Sequence, residues 1–300
     1  MYRHVAAYAA FLTLCALTAG CTGSQNANES GATASPSASA SAAAEGSTAP
    51  TSPPSASPAA AASVAYTDIS GIPGQKEISD LAALGVFGTP SGSFNPNGTI
   101  TRGEFAKWLV AANNAIWANS PDKLIRPSQS SSSAYPDVAT THADFSYIQG
   151  LYDAGFAVGF PDKTFKPDSE LTREQMIAIK ENLDRGGVDK YYVSFWDSTT
   201  PDWKDKQQIN KQFRGAIAED SGLDRTAVTQ GEKQLVIGNV PRAFGAIAML
   251  RPQQPVTRAE AAEILWEMGA HNAHVLNAKP EDAPRSAADA LAPPTPTPTP

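Results

Sequence analysis

Cysteine is almost missing from this 300-residue chain. Its two copies, Cys15 and Cys21, both lie near the N-terminus, so no disulfide and no thiolate metal site can form further along. Histidine is nearly as scarce: of His4, His142, His271 and His274, only His142 falls inside the repeat region described below. That leaves a zinc site or a His-based triad without its parts. Positive charge is thin as well. Lys and Arg number 23 against 30 Asp and Glu, a net charge of −7, with no basic stripe. Phosphate binding needs clustered cations, so the composition argues against nucleic acid as a partner. No cofactor and no metal is called for.

Long apolar runs are also missing. The stretch Val5–Leu17 has 13 residues, short of the roughly 20 that a membrane-spanning helix needs. Behind Arg3 and His4 it fits the central region of a signal peptide. It runs into Leu17-Thr18-Ala19-Gly20-Cys21, after which the chain turns polar at once. This resembles a bacterial lipobox, with Thr18 where such signals usually carry Leu. The resemblance implies that Cys21 becomes the lipid-bearing first residue of the mature protein; an ordinary secretory signal would leave a free thiol instead. Thr22 after the Cys suggests, by the same likeness, an outer-membrane position facing the periplasm. Either way the chain is expected to be exported.

Residues 22–65 are nearly all Ala, Ser, Pro, Thr, Gly and Asn, and residues 271–300 end in alternating Pro and Thr. Such segments cannot bury enough apolar surface to order themselves and are expected to be a disordered linker and tail. The linker would span on the order of 35–40 Å.

Residues 66–270 remain, and they repeat. Tyr66-Thr67-Asp68, Tyr135-Pro136-Asp137 and Phe195-Trp196-Asp197 each read aromatic, any residue, Asp. Apolar positions at helical spacing follow: Ile78, Leu81 and Ala82 before Gly85; Ile148, Leu151 and Tyr152 before Gly155; Ile209, Phe213 and Ala216 less cleanly. Glycine just past a last turn suits a left-handed C′ position. Then come Phe94-Asn95-Pro96, Phe165-Lys166-Pro167 and Leu250-Arg251-Pro252, each with Thr-Arg following five residues after the Pro: Thr101-Arg102, Thr172-Arg173 and Thr257-Arg258. A second helix follows each, with apolar faces at Phe105, Leu109, Ala112 and Ile116, at Met176, Ile179 and Leu183, and at Ala261, Ile264, Leu265 and Met268.

Thr101 with Glu104, Thr172 with Gln175 and Thr257 with Glu260 are spaced as capping boxes. Ile100, Leu171 and Val256 stand where a hydrophobic staple would close each box. The Arg has no such explanation, since a cation in the first turn opposes the helix dipole. Two readings stay open. It pairs with the Asp of a neighbouring repeat, or it offers its planar fork to a ligand carboxylate beside the helix N-terminus.

Together these motifs resemble the S-layer homology module over about 66–270. The resemblance implies an all-α fold, three helix-loop-helix repeats in a pseudo-threefold bundle. Repeats span 66–120, 121–190 and 191–270, the last carrying an insertion at about 218–249. Asp197 to Thr257 is 60 residues, against 33 and 35 in the others. It also implies a non-catalytic envelope protein. Such a protein binds an acidic cell-wall polysaccharide or peptidoglycan-linked glycan in grooves between repeats. Arg102, Arg173 and Arg258 would be its contacts, with Asp68, Asp137 and Asp197 weaker candidates. Tyr66, Tyr135, Trp108 and Trp266 are expected in the core or at repeat interfaces. A wall hydrolase would need paired acids; Glu219 and Asp220 are available, but a solvated surface explains them better. Turn chemistry explains Asp162 and Asp168 better than a calcium loop does. The apolar runs 235–237 and 244–247 could form a partner interface, a buried hairpin or a helix.

Overall fold

The second helix of each unit forms where its cap and apolar face predict. In the computed structural model of the chain, residues 66–88, 92–157, 159–187, 200–222, 225–229, 232–236, 238–271 and 277–284 are described, all within one compact unit, Ser57–Pro300. The signal-like segment, Cys21, the linker, Asp197 and residues 285–300 of the Pro/Thr tail lie outside them. The tail expected to be disordered from 271 is instead ordered over 277–284. There Ala278 and Met268 exchange backbone hydrogen bonds at 2.8 Å, a 3-10 turn covers Pro280–Asp282, and Ala278 and Ala283 are buried. Helices α1 (Gln75–Ala83) and α2 (Arg102–Ile116) make the first unit, and α3 (Phe145–Asp153) and α4 (Arg173–Arg185) the second. The third has α5 (Arg214–Gly222), entered through a 3-10 turn, Lys211–Phe213, and α7 (Arg258–Leu265). Gly85 and Gly155 sit at φ 75° and 79°, as a helix-ending C′ glycine requires.

The caps hold by the expected chemistry. Thr101 Oγ1 accepts from Glu104 N–H at 3.1 Å. Thr257 and Glu260 close a full reciprocal box, at 3.2 and 3.0 Å. The α4 box is looser, Gln175 Oε1 accepting from Thr172 N–H at 3.5 Å.

What joins the three units is a closed ring of backbone hydrogen bonds. Ile100 N–H donates to Val256 O (3.2 Å), Val256 N–H to Leu171 O (2.8 Å), and Leu171 N–H to Ile100 O (2.9 Å). The three staple residues are thus the ring itself, and all three are fully buried. A second cycle, donating in the opposite sense, caps the second helices. Arg102 and Gly103 N–H donate to Ser169 and Pro167 carbonyls, Arg173 and Glu174 N–H to Gln254 and Pro252, and Arg258 and Ala259 N–H to Gly98 and Pro96, all at 2.9–3.1 Å. A helix leaves its first N–H groups unpaired. Here the neighbouring unit's loop takes the first two of each helix.

The described repeats are helical, as an all-α fold expects, and the insertion brings two findings. First, it holds both a hairpin and a helix, the forms left open for it. Strands β1 (Arg225–Thr229) and β2 (Glu232–Val236) form an antiparallel hairpin, pairing Arg225 with Val236 and Thr229 with Glu232. Helix α6 (Asn239–Phe244) follows. Secondly, Glu219 and Asp220 are not on a solvated surface; both are buried. Asp220 accepts from Asn239 and Val240 N–H at 2.6 and 2.7 Å, capping α6, and Glu219 pairs with Arg185 Nη2 at 2.6 Å. Beneath them Lys180 Nζ contacts both Asp184 oxygens at 2.5 Å, and Gly269 N–H and Asn239 Nδ2 donate to the same carboxylate. Burial would raise the Asp184 carboxyl, but the Lys180 charge overcomes it and holds it below the ordinary range. These polar groups fasten the insertion to α4. No described helix is long and apolar enough to cross a membrane.

Candidate functional site

The Asp of each aromatic-x-Asp motif holds a strained turn. Asn95, Lys166 and Arg251 each precede a proline with φ of 56–59°, a left-handed conformation that non-glycine residues rarely adopt. Asp68 accepts from Phe94 and Asn95 N–H, both at 2.8 Å, and from Ser93 Oγ. The Ser93 hydroxyl, joined by the two backbone N–H groups, keeps its carboxyl below the usual range. Asp137 accepts from Phe165 N–H at 2.9 Å and Lys166 N–H at 2.7 Å. In the third unit the same job falls to Asp205, which accepts from Leu250 N–H at 2.9 Å and Arg251 N–H at 2.7 Å. The third aromatic-x-Asp is therefore Trp203-Lys204-Asp205, eight residues beyond the Asp197 expected. All three carboxylates are committed to their own unit's turn.

The three arginines are spent in the ring. Arg102 is 1% exposed; its Nε donates to Phe165 O at 2.8 Å and its Nη1 to Gln175 Oε1 at 3.2 Å. Arg173, 8% exposed, donates from Nη1 to Leu250 O at 3.2 Å and from Nη2 to Glu260 Oε1 at 2.5 Å. Arg258 donates from Nε to Phe94 O at 2.8 Å and from Nη1 to Glu104 Oε1 at 2.5 Å. Each Arg thus locks its unit to the next by the same two acceptors, the carbonyl ahead of the left-handed turn and the N3 side chain of the second helix. Arg173 and Arg258 make ion pairs across units, with an N3 glutamate rather than the Asp, while the N3 partner of Arg102 is the neutral Gln175 amide. Burial draws the Arg102 guanidinium down to about 10, still charged at neutral pH.

Among the expected core aromatics, Tyr135 and Trp108 are buried, with Tyr66 and Trp266 partly so. Tyr66 packs on Phe94 at 5.2 Å and Tyr135 on Phe165 at 5.3 Å. Trp266 Nε1 donates to Asp80 at 2.8 Å, joining the third unit to α1. Asp162 accepts from Thr164 N–H and Oγ1 in a local turn, and Asp168 faces His142 at 3.1 Å.

Two clefts open on this frame. One, of about 450 Å³, lies in the second unit between Tyr135, Tyr152 and Phe160, with Lys163 at its edge. Tyr152 is 49% exposed, and its ring meets Tyr135 edge-on at 5.6 Å. The Phe160 ring is flanked by the Arg102 guanidinium at 4.8 Å and Lys166 Nζ at 4.4 Å. Sequence reasoning put Tyr152 on the buried face of α3; it sits at the rim of that face. The other cleft, of about 770 Å³, lies between the insertion and the helix α7 face, with Phe244, Ile247 and Met249 on one wall and Glu263 on the other.

Comparison with known proteins agrees with this layout over the first two units. A cellulosome-anchoring protein of Acetivibrio thermocellus is 30% identical over 123 residues, 39% of this chain and 25% of that protein. Cell surface glycoprotein 1 of the same organism is 36% identical over 96 residues, 31% of this chain and 4% of its own. A surface layer protein of Brevibacillus choshinensis is 31% identical over 106 residues, 35% of this chain and 9% of its own. The chain spans a quarter or less of the length of these relatives. The S-layer homology domain is present in this chain in two segments, residues 65–106 and 134–177.

Proposed function

We propose that this chain is a non-catalytic anchoring protein that binds a cell-wall glycan through the aromatic cleft of its second unit. One observation carries the reading: Tyr152, a large ring half exposed beside Tyr135 and Phe160, with Lys163 at hand. A ring face left open to water suits the apolar face of a pyranose, and the lysine suits an acidic substituent on it. The matched domain and the names of the relatives, which include anchoring and surface-layer proteins, support the same placement at the cell surface.

Three further points belong to this proposal. The chain forms a pseudo-threefold bundle in which Trp203 to Met268 is the third repeat, a reading that the cyclic hydrogen bonds support. Arg102 acts on the glycan from behind Phe160, by its charge, rather than by its fork, while Arg173 and Arg258 serve the ring. Cys21 carries lipid, so the wall contact and the membrane are joined through the linker.

The test is a pull-down on purified wall sacculi, before and after removal of acidic polysaccharide. Wild-type chain should sediment with intact sacculi and lose most binding once the polysaccharide is stripped. Tyr152→Ala should bind about tenfold more weakly with an unchanged melt. Normal binding by Tyr152→Ala would move the site elsewhere.

A further inference from the structure

The larger cleft differs in chemistry from the aromatic one. Its apolar wall comes from the insertion, Phe244, Ile247 and Met249, and it faces Ile72 and Pro73 of the first unit. Its polar lining holds Arg173, Arg251, Glu260 and Glu263. Arg173 and Glu260 are bound to each other at 2.5 Å. That leaves one carboxylate, Glu263, and one exposed cation, Arg251, to meet a ligand. A second feature is particular to this cleft. In the other two units the Arg Nε–H donates to a carbonyl, at 2.8 Å in both. In Arg173 the guanidinium is turned, so that Nη1 takes the Leu250 carbonyl and the buried Nε–H has no partner. That guanidinium also packs on the Phe244 ring at 4.3 Å, so the unspent Nε–H lies just beneath the cleft's apolar wall.

We infer that this cleft is a second binding site, for a zwitterionic group that presents an alkylammonium to Glu263 and a carboxylate to the Arg173 and Arg251 side. The free end of a diamino acid in a wall peptide has this chemistry. The inference rests on the wall-binding reading only for where such a ligand would be met.

The groups around Glu263 fix the sign of its pH response. Glu77 of α1 and Glu260 of its own helix oppose its ionisation. Arg242 of α6 favours it, although that guanidinium is drawn toward the Glu263 and Ile264 carbonyls and lies 3.8 Å from Glu267. Lys76 of α1 is engaged by Asp80. Burial, then Glu77 and Glu260, push the Glu263 carboxyl up to about 7. An alkylammonium stays charged to about pH 10. Affinity should therefore be low near pH 5.5, rise through pH 7, and level off above it.

The probe is Nα-acetyl-lysine, titrated into the full chain with chemical shifts read at the cleft. Nα-acetyl-norleucine lacks the amine, and Nα-acetyl-lysine methylamide lacks the carboxylate. Saturable binding with a Kd on the order of 1 mM at pH 8.5 is expected, about tenfold weaker at pH 5.5. Glu263→Gln should weaken it about tenfold and flatten the pH profile. Arg251→Gln should weaken Nα-acetyl-lysine but not its methylamide. Equal binding of the norleucine compound, an unchanged Glu263→Gln profile, or shifts confined to residues outside the cleft would each overturn the proposal. Tyr152→Ala should leave this titration untouched. Failure of the glycan reading would thus appear in the sacculus assay alone, and failure of this one in the titration alone.

Discussion

The two clefts differ in place and in chemistry: one lies within the second unit, the other between the insertion, α7 and Ile72 and Pro73 of the first unit. In the second unit the walls are aromatic and the nearby charges are Lys163, Lys166 and Arg102. In the other, the insertion supplies Phe244 together with Ile247 and Met249, and α7 supplies a carboxylate. The fifth residue after each ring Arg shows how little is needed: Lys107, Ala178 and Glu263 stand at one helical offset. The ring contacts recur from unit to unit, while this position runs from an exposed Lys107 through a buried Ala178 to Glu263 in the larger cleft. Arg102 and Arg258 stand outside both linings, whereas the Arg173–Glu260 lock is itself part of the larger cleft's wall.

Four measurements would break or sharpen that comparison. The largest effect is expected at Arg102→Ala. It removes a buried side chain and strands the Phe165 carbonyl and the Gln175 amide, for a loss of about 2–4 kcal/mol. Arg258→Ala should lose only about 1–2 kcal/mol, since its side chain is 20% exposed and Glu104 34%. Equal losses in urea melts would mean the locks are interchangeable after all. Next, Asp205→Ala should lose about 2–3 kcal/mol, from two charge-assisted bonds to a strained turn, while Asp197→Ala should stay within about 0.5 kcal/mol. The reverse order would return the third motif to Asp197.

Smaller again is Glu263→Gln. The folded carboxyl titrates near 7 against an ordinary 4.5, so the folded state holds its proton more tightly and stability falls as pH rises between those values. The variant should gain about 1 kcal/mol at pH 8, after allowance for solvent screening, and nothing near pH 4. A thermal melt at both pH values decides it; a gain at pH 4 would remove the titration as cause. Smallest is Tyr152→Ala, within about 0.5 kcal/mol of wild type because half its ring is already in water. A large loss there would make Tyr152 a core residue and empty the aromatic cleft of its meaning.

The repeats were readable because their signals are local. A threonine cap, an apolar neighbour and a C′ glycine act within one helix turn, and Thr101, Thr257, Gly85 and Gly155 do what their spacing predicts. The arginines were not readable, because each partner lies in another unit. Arg173 reaches Glu260 across 87 positions and Arg258 reaches Glu104 across 154, and no window of sequence spans that. Asp205 was passed over because two aromatic-x-Asp triplets stand eight residues apart, and only the bonds to Leu250 and Arg251 tell them apart. Glu219 and Asp220 looked like surface because hydrophilicity says nothing of Arg185 or of the α6 N-terminus waiting beside them.

The bonds linking Ile100, Leu171 and Val256 have a consequence for assembly. In a linear array each new repeat docks on the last, and a chain cut short is merely shorter. A cycle of three has no first or last member. Without the third unit, Ile100 loses its acceptor and Leu171 keeps a carbonyl with no donor, while the α4 N–H groups at Arg173 and Glu174 lose the carbonyls that cap them. The final contact joins positions 100 and 256, so most of the chain must be present before any unit is complete. Entropy of that closure is met once, late and all together, which makes the three units one cooperative body rather than a string of modules.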